Sequence, residues 1–171
     1  YRTDVLRSEG VPLPHHTFYV DNIYAYVPLP RCKRLFYRNV DLYRYYIGRT
    51  DQSVNEQVMV SRYEQQLRIT RIMVDAYHLY DDVASPRLRS YMLGYLTLMM
   101  AISSLFGHMS DDPSSDGKVE ELWAHLREFD ARMYAHARHH LLGVMTNLPG
   151  KVGRSITSAV YRAVRKVVKF N

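Results

Sequence analysis

The chain has 171 residues, of which 47% are hydrophobic and 23% are charged. This length and balance predict a folded domain with a real core and exclude an intrinsically disordered chain. The most hydrophobic stretch, residues 93–106, is interrupted by Gly94, Thr97, Ser103 and Ser104. It is also shorter than the roughly 20 residues of a membrane span, so we interpret it as a core helix.

The formal net charge of +6 favours an anionic partner. Much of the surplus lies in residues 151–171, which contain no acidic residue. The stretch 152–170 predicts an amphipathic helix with a narrow apolar stripe flanked by cations. Its expected membrane or partner contacts are Arg154, Arg162, Arg165, Lys166 and Lys169.

Two interpretations of this basic C-terminal helix stay open. It lies on an anionic membrane surface, with its apolar side chains in the acyl boundary, or it packs on the other helices with its basic face in water. Aromatic platforms and known nucleic-acid motifs are not interleaved with the charges, so we expect no nucleic-acid partner.

The sequence changes character near Ser53. Before this residue it is rich in tyrosine and proline, and residues 17–27 predict a short strand followed by a helical turn with Asp21 as its N-cap. Residues 34–40 and 42–47 are aromatic and alternating, which predicts an edge hairpin or two successive strands.

After Ser53 the pattern is helical almost to the end. A capping box of Ser53 and Glu56 begins a first helix that runs to about residue 81. A second helix is predicted from Ser85 as N-cap and Pro86 as first helical residue to a stop at Gly107. Its predicted buried face is Leu88, Tyr91, Met92, Tyr95, Leu96, Met99, Ile102 and Phe106.

A third helix is predicted over residues 119–140, with turn residues 147–150 after it, and residues 152–170 form the fourth. The predicted fold class is therefore α+β and mainly α. Short aromatic strands at the N-terminal end precede a bundle of three to four helices.

His136 and His140 lie one helical turn apart, a spacing that some zinc sites use. A zinc site needs three or four ligands, and no cysteine or carboxylate follows at a familiar ligand spacing. We therefore interpret these histidines as structural or surface residues and expect no metal site in this chain.

Two segments carry the most specific pattern. Residues 15–22 read His-His-Thr-Phe-Tyr-Val-Asp-Asn, and residues 41–54 contain a Tyr-rich stretch that runs into Arg49, Gln52 and Ser53. Here the sequence resembles the C-terminal part of bacterial family-2 glycosyltransferases, which are inverting enzymes of the GT-A type. In that family an aromatic strand leads into an acidic motif, and a later Tyr-rich strand ends in an Arg-x-x-x-Ser loop.

The resemblance implies roles for residues at matching positions. Asp21 matches the aspartate of the family's Glu-Asp motif, which is taken to be the catalytic base, while Val20 stands where the family has glutamate. An inverting transfer needs one carboxylate that takes the proton from the attacking acceptor hydroxyl. The implied substrate-binding residues are Asn22, Tyr43, Arg44, Arg49, Gln52 and Ser53.

We therefore expect a C-terminal fragment of an enzyme that transfers sugar from a nucleotide-sugar donor to a glycan acceptor hydroxyl in cell-surface polysaccharide or glycoconjugate synthesis. Residues 1–52 are the expected remnant of the catalytic domain, 53–148 a helical extension and 149–171 the basic helix. The resembled enzymes hold the nucleotide and a divalent metal, Mg²⁺ or Mn²⁺, on an N-terminal domain with an Asp-x-Asp motif. We expect no cofactor in this chain and no activity without that domain.

The expected location is cytoplasmic, with peripheral contact at the inner membrane face, and a homodimer is left open. The alternative function is a non-catalytic helical interaction module whose basic tail binds a membrane or an acidic partner.

Overall fold

The structure, a computed structural model, describes residues 1–11, 13–44 and 56–148. Within these ranges it is a helical bundle with no strand. The α-helices are α1 (Thr3–Glu9), α2 (Val20–Tyr26), α3 (Glu56–Ser61), α4 (Tyr63–Asp75), α5 (Leu79–Asp82), α6 (Pro86–Met109), α7 (Ser115–Phe129), α8 (Ala131–His139) and α9 (Leu141–Thr146). A single 3-10 turn, Leu29–Arg31, follows α2.

The central element is α6, which is packed against α3, α4, α5, α7, α8 and α9. It begins as its sequence predicts, with Pro86 in the first turn and the Ser85 hydroxyl accepting a hydrogen bond from the Leu88 amide at 3.4 Å. Its length and hydropathy would allow it to cross a membrane, but 67% of its most apolar window is buried inside the protein. That degree of burial is typical of a core helix.

One buried cluster joins the N-terminal part of the chain to the bundle. Ile23 and Tyr26 from α2 are fully buried together with Met73 from α4 and Leu96 from α6. Each of the Ile, Met and Leu side chains contributes about 1.5–3 kcal/mol through the hydrophobic effect. Residues 20–27 therefore share the core of the helical extension, although the predicted boundary near residue 52 lies outside the described residues.

The contact between α6 and α7 is close and partly polar. Gly107 faces Val119, and a Cβ atom at residue 107 would lie 2.3 Å from Val119 Cγ2. The buried indole N–H of Trp123 donates a hydrogen bond to Ser104 Oγ at 2.9 Å. Ser103 Oγ lies 2.8 Å from Thr70 Oγ1 of α4, so these small polar residues connect three helices.

The predicted strands are not present in the described residues. Residues 15–19 form turns before α2, and residues 34–44 are irregular and exposed; residues 45–47 of the second predicted strand lie outside the description. Aromatic and β-branched residues favour a strand only where a neighbouring strand completes the hydrogen bonds. The β part of the predicted fold class is therefore wrong for these residues, and the helical bundle is confirmed.

Two of the predicted long helices are divided. The first is interrupted at Arg62 and again between Asp75 and Leu79, while its predicted cap Ser53 lies outside the described residues. The third is interrupted at Asp130, whose carboxylate accepts hydrogen bonds from the amides of Arg132 and Met133 and so caps α8. Aspartate at an N-cap stabilises a new helix start, which outweighs the continuous apolar spacing.

Two details of the second helix are corrected. Tyr91, expected on the buried face, is exposed. Gly107 does not end the helix, which continues to Met109, because this glycine serves the close approach to α7. The turn predicted after α9 agrees with its end at Thr146, as far as residue 148.

The two glycines of α6 give a matched test of the α6–α7 contact. Gly107→Ala is expected to destabilise the protein by about 1–3 kcal/mol, because the added methyl group overlaps the stiff, buried Val119 side chain. Gly94→Ala, where nothing lies within 4 Å of the new Cβ, is expected to stabilise it by about 0.5–1 kcal/mol. Urea unfolding monitored by circular dichroism measures both.

A double variant tests whether steric overlap with Val119 causes the loss of stability in Gly107→Ala. In Gly107→Ala combined with Val119→Ala, the two costs should be less than additive, since the second change makes room for the first. Equal effects of alanine at 94 and 107 would contradict the close contact.

Candidate functional site

The start of α2 is held in an unusual backbone conformation. Tyr19, the residue before the helix, has a φ of 67°, and His16 in the preceding turn has a φ of 51°. These are left-handed conformations that cost a non-glycine residue about 1–2 kcal/mol, so the surrounding contacts must enforce them. Tyr19, not Asp21 as predicted, occupies the N-cap, and Asp21 lies in the first turn of the helix.

Contacts with α4 fix the turn before this helix. The Phe18 amide donates a hydrogen bond to Gln65 Oε1 at 2.8 Å. The Arg62 guanidinium lies over the Phe18 ring, 3.6 Å from its centroid. Burial raises the pKa of the Tyr19 hydroxyl above its usual range, and the Arg62 charge opposes this shift while the Asp21 charge adds to it. The carboxylate of Asp21 is thus placed by a packed turn.

Asp21 is solvent-exposed, whereas its neighbour Asn22 is engaged within the protein. The Asn22 amide group donates to the Tyr19 carbonyl at 3.0 Å, and its Oδ1 accepts from the Tyr95 hydroxyl at 2.8 Å. Asn22 therefore links α2 to α6. Of the two adjacent residues to which the sequence assigns a role, only Asp21 presents its side chain to solvent.

A group of tyrosine rings lies near this carboxylate, and the Asp21 charge acts on the hydroxyl of one of them, Tyr95. We define the tyrosine face as Asp21, Tyr1, Tyr24, Tyr91 and Tyr95. Asp21 and Tyr24 lie three residues apart on the outer side of α2, and Tyr91 and Tyr95 lie four residues apart on α6. The exposed fraction is 48% for Tyr1, 41% for Tyr24 and 60% for Tyr91.

The rings are arranged in two edge-to-face pairs. Tyr1 and Tyr24 have centroids 5.2 Å apart at an interplanar angle of 82°, and Tyr91 and Tyr95 have centroids 6.2 Å apart at 63°. The Tyr1 hydroxyl donates to the Ala25 carbonyl at 2.8 Å, which fixes its ring against α2. Such pairs contribute about 0.5–1.5 kcal/mol beyond the area they bury. The rings of the face are therefore held by contacts within the protein.

Sequence reasoning assigned no binding role to Tyr24, Tyr91 or Tyr95. The signal was present in the spacings 21/24 and 91/95, which place the paired residues on one side of a helix. The apolar periodicity of the second predicted helix instead places Tyr91 and Tyr95 on its buried face, and it assigns no face to Tyr24.

The other predicted site residues are placed as follows. Tyr43 and Arg44 lie in the exposed irregular segment 32–44, where Arg44 is 3.8 Å from the Asp41 carboxylate. Arg49, Gln52 and Ser53, and the tail cations Arg154, Arg162, Arg165, Lys166 and Lys169, lie outside the described residues. The roles of these residues stay predictions.

No group of three or more His, Cys, Asp or Glu residues suitable for a metal ion is found in the ranges 1–11, 13–44 and 56–148. The rings of His136 and His140 stack with centroids 6.3 Å apart. Burial, and then the neighbouring His140, lower the pKa of His136 below its usual range. His136 is therefore half-buried at the end of α8, with its ring stacked on the exposed His140.

A separate cleft of about 390 Å³ lies between α6, α7, α8 and the end of α9, and Asp21 is not among its lining residues. His108 Nδ1 lies 2.7 Å from Asp116 Oδ1, and the Arg138 guanidinium covers the Trp123 ring and donates to the Gly143 carbonyl. Its central polar groups are thus engaged with one another, which makes the tyrosine face the better candidate.

The proximity of Asp21 to Tyr95 is open to direct measurement. Burial, and secondarily the Asp21 charge, raise the pKa of the Tyr95 hydroxyl above 10. In Asp21→Asn we expect this pKa to fall, whereas Asp111→Asn, an exposed aspartate in the loop before α7, should leave it unchanged. NMR titration of Cζ-labelled tyrosine, assigned with Tyr95→Phe, measures the shift.

The sign of the stability effect follows from linkage. The folded state holds the Tyr95 proton more tightly than the unfolded state does, so the raised pKa contributes to the stability of the folded state. This contribution is present below the unfolded pKa near 10 and is lost as pH rises through the raised pKa of the folded state. A Tyr95 pKa that is unaffected by Asp21→Asn would show that the two side chains are not neighbours.

The chain matches no protein-family model, no curated protein and no solved structure.

Proposed function

We propose that this chain is the C-terminal part of an inverting, sugar-nucleotide-dependent glycosyltransferase in which Asp21 is the general base. The observation that carries the proposal is an exposed carboxylate, set by a packed turn, at the edge of a face of exposed tyrosine rings. Carboxylate and aromatic rings together suit a polyol ligand, because the rings cover apolar C–H groups and the carboxylate binds hydroxyl groups. The sequence resemblance assigns the base to the same residue.

In the proposed reaction, Asp21 accepts the proton of an acceptor hydroxyl as its oxygen bonds to the anomeric carbon of the donor. The bond from that carbon to the nucleoside diphosphate breaks on the opposite face, and the diphosphate leaves with the electron pair. A base in this role must come within about 3 Å of the hydroxyl, directly or through one water. An exposed carboxylate on a fixed helix meets the requirement of access.

The proposed enzyme also needs groups that bind the donor and the metal, and these are not part of the tyrosine face. Arg49, Gln52 and Ser53 are proposed to contact the donor diphosphate or the acceptor, where a guanidinium suits phosphate geometry. Mg²⁺ or Mn²⁺ would be held by a preceding nucleotide-binding domain with an Asp-x-Asp motif. We propose a cytoplasmic location with peripheral contact at the inner membrane face.

The exposed apolar side chains of segment 32–44 support a second domain. Phe36, Tyr37 and Leu42 are 83%, 84% and 85% exposed. Leu35, Val40 and Tyr43 are exposed as well. Several large apolar side chains exposed on one segment are typical of a surface that binds another domain or a partner. We propose that the nucleotide-binding domain covers this segment.

The main test uses the protein encoded by the complete reading frame. Asp21→Asn is expected to lower kcat for sugar transfer by about 10²–10⁴-fold, since a positioned general base contributes that much. Asp111→Asn provides a matched loss of one exposed carboxylate and should stay within twofold of the parent. Product formation is measured by mass spectrometry, and circular dichroism confirms that both variants fold.

Two results would overturn the proposal. Transfer by Asp21→Asn within a few-fold of the parent would remove Asp21 from the role of base. A reading frame without an α/β domain containing Asp-x-Asp before residue 1 would favour the alternative, a non-catalytic helical module. The exposed segment 32–44 would also suit such a module.

The basic tail is tested separately. If the cations of residues 151–171 contact a membrane, the chain should sediment with vesicles that contain phosphatidylglycerol, and removal of these residues should abolish the binding. Binding should weaken as salt is added, because the attraction is electrostatic. Equal sedimentation of the full and shortened chains would assign any membrane contact to another surface.

A further inference from the structure

We infer that the tyrosine face is the acceptor site and that it takes a neutral oligosaccharide, with Tyr24 and Tyr91 as the stacking rings. Its role as acceptor site rests on the proposed function. The binding itself does not, because it follows from the exposed rings and the carboxylate beside them.

Ring exposure and the hydrogen bonds of the hydroxyl groups together decide which members of the face contact the ligand. Tyr91 is the most exposed of the four tyrosines, and Tyr24 lies on the outer side of α2 in line with Asp21. Tyr95 is half-buried, with its hydroxyl committed to Asn22. Tyr1 is likewise committed through its hydroxyl to Ala25. Tyr95 and Tyr1 therefore support the two outer rings edge-on, and the outer rings are left for the ligand.

This support lowers the cost of binding. A ligand that stacks on a freely rotating side chain must immobilise it, and the lost rotamer freedom opposes binding. Here each outer ring already packs against a partner that is hydrogen-bonded to the backbone or to Asn22. Two preordered rings on adjacent helices form a platform for more than one sugar unit.

The charge of the face selects the class of glycan. Among its five side chains only Asp21 carries a formal charge, and that charge is negative. An acidic glycan would be repelled from this carboxylate, whereas the hydroxyl groups of a neutral glycan can donate hydrogen bonds to it. A neutral acceptor with a hydroxyl at Asp21 is also what a base in this position requires.

Binding is tested with the 171-residue chain on an array of α- and β-linked neutral hexose oligomers and bacterial surface oligosaccharides. We expect binding to at least one neutral glycan on the array. Tyr91→Ala and Tyr24→Ala should each weaken it by about tenfold, since losing a stacked ring removes roughly 1.4 kcal/mol of contact. Tyr91→Phe, which keeps the ring, should remain within threefold.

The control is Tyr37→Ala, which removes a highly exposed tyrosine of segment 32–44. It should leave glycan binding unchanged. Because Tyr91 and Tyr37 are both exposed, neither substitution removes core packing, and circular dichroism checks this. No binding to any glycan of the array, or equal loss in Tyr37→Ala and Tyr91→Ala, would overturn the inference.

Kinetics of the complete protein separate this inference from the proposed function. If both hold, Asp21→Asn loses transfer, and Tyr91→Ala raises the acceptor KM with kcat little changed. Tyr91-dependent binding without any transfer by the complete protein would overturn only the enzymatic proposal. Transfer whose acceptor KM is insensitive to Tyr91→Ala would overturn only the assignment of this face.

Discussion

The burial of α6 is the constraint on which the rest of the structure depends. A 24-residue helix with apolar side chains on most of its circumference cannot remain in water, and neighbours from α3 to α9 cover it. Where a neighbouring helix approaches α6 closely, α6 has small residues. Gly107 lies beside Val119 of α7, Ser103 lies beside α4, and Ser104 lies beside α7. The hydroxyl groups of these serines are hydrogen-bonded, as buried polar groups must be.

Helix α6 also determines where the N-terminal part of the chain packs. Ile23 and Tyr26 enter the core beside α6, and the Tyr95 hydroxyl meets Asn22 at the edge of that contact. With its inner side held in this way, α2 presents Asp21 and Tyr24 outward. The tyrosine face is therefore a product of core packing: its carboxylate and its rings belong to two helices that are joined by buried side chains.

Much of the bundle was predictable from sequence, and its interruptions were not. Ser85 and Pro86 are strong local signals, and α6 begins there. Asp130 is an equally good N-cap, but the apolar residues on both sides of it continue at helical spacing. The periodicity therefore predicts one continuous helix where the structure has a break between α7 and α8. In residues 34–44 the aromatic alternation indicated strands, although strand formation depends on a pairing partner, which no local pattern supplies.

The candidate site was predictable only in part, for a related reason. The exposure of Asp21 agrees with its expected role, but periodicity does not reveal which edge of an apolar stripe is left uncovered. Tyr91 and Tyr95 belong to the same predicted stripe as Met92 and Leu96, yet Tyr91 is exposed while Met92 and Leu96 are buried. The predicted residues 49–53 and 154–169 lie beyond the parts of the chain that the structure describes.

Trp123 is the single tryptophan of the sequence, and it lies at the joint between α6 and α7. Its indole ring is buried, hydrogen-bonded to Ser104 and covered by Arg138. Fluorescence emission from this residue is thus an intrinsic optical reporter of the closed bundle, which shifts to longer wavelength when water reaches the indole. Since the exposed rings beside Asp21 are all tyrosines, opening of the bundle and occupancy of that face produce signals from different chromophores in the unlabelled protein.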